Sequence, residues 1–126
     1  MNLPDYNNIK ISKYCDKVDI LKQVADQIGK DFYQFGFEVE FSGEPEGAYC
    51  ELFDQVNTHV EFMLSQDYHR LVLLLYQIDL SEKEIIKNEL KYPDVSKHQL
   101  LAEMIIQREL KKVLIRNYFK ENPDKL

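Results

Sequence analysis

From Leu21 to Phe119 the apolar residues recur every three or four positions, a period that suits α-helices and not strands. Such a chain must bury helix against helix. In the first such segment Leu21, Val24, Ala25, Ile28, Phe32 and Phe35 fall within about 100° of one helical face, with Asp16 placed to cap it. Gly29 interrupts the pattern at about 1 kcal/mol relative to Ala. Gly36 follows as a left-handed cap that would fold Phe37 back on Phe32. The period returns from Pro45 to Leu64, where Tyr49, Leu52, Phe53, Val56, Val60, Met63 and Leu64 share a face. Ser65-Gln66-Asp67 makes a tight connection, and Asp67 can cap the next helix, Tyr68 to Ile78. That helix is apolar almost all round and is expected to be the central buried element. Ser81 and Glu84 form a capping box for a short helix to about Leu90, which Tyr92-Pro93 ends. Ser96 and Gln99 open a last helix that runs to about Phe119, ahead of Pro123.

One stretch breaks the period. Phe37-Glu38-Val39-Glu40-Phe41 alternates strictly, and Ile9-Lys10-Ile11 does the same. A two-stranded ribbon of residues 9–11 and 37–41 would set Lys10 near Glu38 or Glu40, and it would have to lie on the helices to be stable. The expected fold is therefore mainly α. Four to five helices form a single bundle-like domain over residues 1–126, with the small ribbon as an addition. Residues 1–15 are an irregular N-terminal segment and residues 121–126 a short tail. At 126 residues the chain can build one core and not two. The longest apolar run, Leu71 to Tyr76, falls far short of a membrane span. Cys15 and Cys50, with no CxxC pair and no export signal, read as reduced thiols, which points to a cytoplasmic protein.

The last helix carries two faces. Leu101, Met104 and Ile105 define one; Ile106, Leu110, Val113 and Leu114 define nearly the opposite one. Such a helix is either sandwiched within the monomer or packed on a second subunit. Leu110, Val113 and Leu114 are candidate interface residues on the second reading, together with Phe62, which lies off the core face of its own helix. Arg108, Lys111, Lys112, Arg116 and Lys120 form a basic stripe, a candidate polyanion contact. Against that stand a formal charge of −6 and eight acids between Phe37 and His69 with no Lys or Arg among them. Internal neutralisation is the expected use of the stripe. Asp79 either caps the helix that follows it or pairs with Arg108 or Arg116 across the core, a candidate structural ion pair.

The motifs of catalysis are missing: no phosphate-cradling glycine loop, no GxSxG elbow and no HExxH. His59, His69 and His98 lie in three separate segments, so no metal site is assigned. Cys50 is ringed by Glu44, Glu46, Glu51 and Asp54, which oppose a thiolate, and Cys15 has no local histidine. A site assembled from distant residues would have to draw on Glu38, Glu40, Tyr49, His59 and His69. No catalytic residue and no cofactor is assigned.

The segments Leu75–Lys83 and Leu101–Arg116, about the C-terminal two-fifths of the chain, resemble an uncharacterised family of short helical bacterial proteins. The resemblance implies a bacterial cytosolic origin and transfers no activity. The expected function is that of a non-enzymatic helical protein acting through protein–protein interaction, with self-association through the last helix. The alternatives are a nucleic-acid-associated regulator using the basic stripe, and a small-ligand or metal-binding protein.

Overall fold

The helices start and stop where the local chemistry dictates. The computed structural model describes Lys10 and residues 13–125. Within them it forms the mainly helical, bundle-like domain that the spacing predicts. The helices are α1 (Val18–Tyr33), α2 (Ala48–Gln66), α3 (Tyr68–Ile78), α4 (Glu82–Lys91) and α5 (Lys97–Glu121), followed by one 3-10 turn, Pro123–Lys125. Asp67 Oδ1 accepts the Arg70 N–H at 3.1 Å and Ser81 Oγ the Glu84 N–H at 3.1 Å, satisfying one of the orphan donors at each helix start. Three expectations fail at this level. Ser96 is the N-cap of α5, but its hydroxyl donates to Gln99 Oε1 at 2.9 Å and accepts no backbone N–H, so the capping box expected of Ser96 and Gln99 does not form. Asp16 does not cap α1, whose N-cap is Lys17 with no side-chain bond, and α2 begins after a left-handed Gly47 rather than at Pro45.

α1 and α3 end in the same way with different residues. Phe37 N–H returns to Phe32 O at 3.1 Å and Gly36 N–H to Tyr33 O at 3.0 Å, with Gly36 at φ 87. At α3, Leu80 N–H returns to Leu75 O at 2.9 Å and Asp79 N–H to Tyr76 O at 3.1 Å, with Asp79 at φ 69. Both are left-handed C-terminal closures, and α3 places a carboxylate residue where glycine is the usual choice. Asp79 thus ends α3 and is not the cap of α4.

The core runs through α5, which touches each of the other four helices. Leu100, Leu101, Ala102, Ile105, Ile106, Leu110, Val113 and Leu114 are all buried there, against Val24, Ile28 and Phe32 of α1 and Leu52, Val56, Val60 and Met63 of α2. Each of the larger side chains among them contributes about 1.5–3 kcal/mol of burial. The opposed apolar faces of α5 therefore mark a helix sandwiched inside one protomer. α3 is not the central element: Leu71, Leu74 and Ile78 are buried, and the rest of the helix looks outward.

No strand occurs among the described residues. The partners expected for the ribbon, Ile9 and Ile11, lie outside them. The alternation of residues 37–41 still has a structural use. Phe37, Val39 and Phe41 are half-buried against the core, while Glu38 and Glu40 point to solvent. The segment is held as an extended strap by one polar row of α2. Glu51 Oε1 accepts Ser42 N–H at 2.8 Å, Gln55 Oε1 accepts Glu40 N–H at 2.7 Å while its amide donates to Glu40 O, and His59 Nε2 donates to Glu38 O at 2.9 Å. Side chains at i, i+4 and i+8 thus supply the bonds that a neighbouring strand would otherwise give.

Candidate functional surface

The strap accounts for most of the polar residues that might have formed a ligand site. His59 is spent on Glu38 O and stacks on Phe37, ring centroids 4.7 Å apart. Burial pushes the Tyr49 hydroxyl up, with the charge of Glu103 adding to it, so it stays protonated. His69 stands exposed on α3. The five residues Glu38, Glu40, Tyr49, His59 and His69 therefore do not converge through their side chains. Two shallow hollows flank the strap, of about 310 Å³ beside Glu40 and Glu51 and about 280 Å³ beside Asp54 and His59. His98 bridges α5 to α2, its Nδ1 2.7 Å from Asn57 Oδ1 and its Nε2 3.1 Å from Glu61 Oε2. Among the described residues no group of three His, Cys, Asp or Glu side chains could hold a metal ion. Burial, and then the charge of Asp16, pushes the Cys15 thiol up, away from a reactive thiolate.

Most of the basic stripe of α5 is engaged within the chain. Arg108 Nη2 meets Asp79 Oδ2 at 3.0 Å, and its Nε donates to Ile78 O at 3.4 Å, so the guanidinium closes the C-terminal end of α3. The Asp79–Arg108 pair is thus formed, with a correction: the Asp79 side chain is 83% exposed, so the pair lies at the surface and not across the core. Arg116 does not join it; its Nη1 donates to Gln27 Oε1 at 3.3 Å. Lys112 Nζ lies 3.0 Å from Glu109 Oε1, Lys111 is also engaged, and Lys120 is exposed.

Leu110, Val113 and Leu114 are 2%, 0% and 9% exposed, so these residues, expected at an interface, belong to the protomer's own core. The two faces of α5 meet other helices of the same chain. Phe62 differs: it is exposed and packs edge-on against Phe37, centroids 6.0 Å apart.

A different surface is bare. Tyr68, Val72, Leu73 and Tyr76 of α3 are all exposed, Tyr76 to 85%. With His69 and Gln77 they make up the outward half of the helix. No Asp, Glu, Lys or Arg stands in that half. The one charged residue of α3, Arg70, turns inward, donating to Phe35 O at 3.2 Å, pairing with Asp67 at 3.0 Å and lying 5.3 Å over the Phe37 ring. α4 adds exposed Ile86 and Leu90, but between Glu82, Lys83, Glu84, Lys87 and Lys91. No helix of the described residues is long and apolar enough to cross a membrane. No family model matches the chain, and no curated protein or solved structure does either.

Proposed function

We propose that this chain is a non-enzymatic cytoplasmic protein that acts by protein–protein contact through the outer face of α3, and that a second copy of the chain occupies that face. One observation carries the reading: Tyr68, Val72, Leu73 and Tyr76 stand exposed on a helix half that holds no charge. Exposed apolar patches of this kind mark interaction sites. Aromatic residues such as Tyr68 and Tyr76 are the usual anchors of interfaces.

A second copy is favoured by symmetry. A two-fold contact sets the same patch of each copy against the other, and an uncharged apolar face is complementary to itself without any pairing of charges. The outward surfaces of α1, with Lys22, Asp26 and Lys30, and of α4 would have to pair or desolvate charges in such a contact. The α3 face would not. An eleven-residue helix is about 16 Å long, so the contact belongs to the small class below about 1,200 Å² and the dimer should be reversible. The family resemblance of the C-terminal segments adds no activity to this reading.

Sedimentation velocity over a wide concentration range tests it. The wild type should move from monomer toward dimer as concentration rises. Val72→Lys with Tyr76→Lys should stay monomeric with unchanged helix content. A wild type that stays monomeric throughout, or a variant that dimerises equally well, overturns it.

A further inference from the structure

The seam between α1 and α5 contains two carboxyl groups where an apolar contact would be expected. Asp31 is 5% exposed and Glu109 is 0% exposed. Neither oxygen of Glu109 meets a donor with hydrogen-bond geometry among the described residues, although Lys112 Nζ lies 3.0 Å from one of them. A buried carboxylate left in that state is costly. Its neighbour is Asp31, and two carboxylates cannot bond each other unless one of them holds a proton.

The surroundings are arranged for that state. Gln27, one turn before Asp31, points its amide nitrogen at both Asp31 oxygens, 3.4 and 3.5 Å away. Arg116 donates to the oxygen of the same amide, which fixes the direction of the NH₂ group. Asp31 thus has an amide donor and Glu109 has none, which leaves Glu109 as the partner placed to carry the proton. With one proton present, the charges of Asp31 and Lys112 cancel, and the buried cluster is neutral. When the proton leaves to solvent, two negative charges face one half-exposed ammonium. The charges acting on Glu109 come from Asp31 on α1 and Lys112 on α5, with Arg116 acting through Gln27.

We propose that Asp31 and Glu109 form a proton-binding site that clamps α1 to α5 while they share one proton and weakens the seam when that proton is lost. Burial, reinforced by the hydrogen bond and then the charge of Asp31, pushes the Glu109 carboxyl up to about 8, against a smaller opposing pull from Lys112. The folded value lies above the unfolded one, 4.5. The folded chain therefore holds an extra proton between those limits. The stabilisation is complete below about 4.5, declines as pH rises, and is gone above about 8. This runs opposite to the usual behaviour of paired surface carboxylates, whose contribution grows with pH.

Two measurements decide it. In a ¹³C NMR titration of the intact protein, the Glu109 side-chain carboxyl should titrate near pH 8, with the Asp31 carboxyl responding in the same step. A Glu109 midpoint in the ordinary carboxylate range, or an Asp31 signal blind to that step, overturns the proposal. Thermal melts between pH 5.5 and 9 should show the wild-type Tm falling up to about pH 8 and then levelling, while Glu109→Gln removes that fall. Parallel profiles for the two proteins overturn it too. Should Glu109→Gln fail to fold, the wild-type titration still gives the answer.

Discussion

α3 and α5 touch within one bundle, yet they meet solvent in opposite ways. α3 is the more apolar helix, but all its neighbours (α1, α2 and α5) are served by one side, where Leu71, Leu74 and Ile78 are buried. α5 is dense in charge, and it contacts four helices and buries residues on opposed faces, Glu109 included. Burial therefore follows the number and placement of neighbours, and composition alone does not determine it. An apolar residue in α5 is spent on the fold, whereas one on the outer half of α3 is left over. On the proposed reading, that surplus is what the protein offers to a second copy of itself.

Substitutions can break or sharpen this contrast. Ile105→Ala in α5 should cost about 2–5 kcal/mol in denaturant unfolding, because it opens a cavity at a residue with 0% exposure. A cost below 1 kcal/mol would mean that α5 is not the centre of the core. Gly29→Ala should stabilise by up to about 1 kcal/mol. An added Cβ would lie 3.8 Å from Val39 O, an ordinary contact, so the strap need not move; a loss of stability would place the strap closer to α1 than this. Asp79→Gly should raise stability by roughly 0.5–1 kcal/mol, since Gly36 shows the residue that this closure prefers. The ion pair lost to Arg108 is too exposed to offset that gain. A clear destabilisation would show the pair to be stronger than a surface bridge. Val72→Ala on the outer half of α3 should change stability by less than about 0.5 kcal/mol, as expected for a surface position. An effect the size of the one at Ile105 would erase the contrast.

Most of the helical frame was legible in the sequence. The 3.6-residue period located all five helices, and the capping residues Asp67 and Ser81 with the left-handed Gly36 fixed three of their ends. Failures came where two physical solutions share one pattern. Apolar residues all round Tyr68–Ile78 suit a buried helix or one with a bare face, and only the placement of its neighbours distinguishes them. Opposed faces in α5 suit a dimer or a sandwich. The alternation of residues 37–41 suits a strand of a ribbon, yet no strand forms there: the segment's partner is a polar row on α2, and Glu51, Gln55 and His59 resemble an ordinary solvated helix face until the strap lies on them. Asp31 and Glu109 gave no signal, because nothing in either local pattern reveals that they face each other in the core.

The central claim is that α3 supplies the contact surface and α5 the core. Amide ¹H–¹⁵N NMR spectra of the wild type, recorded from dilute to concentrated protein, test it most directly. Shifts that move with concentration should cluster at residues 68–77 and leave Leu110, Val113 and Leu114 of α5 unchanged. Concentration-dependent shifts centred on α5, or none anywhere, would contradict the account.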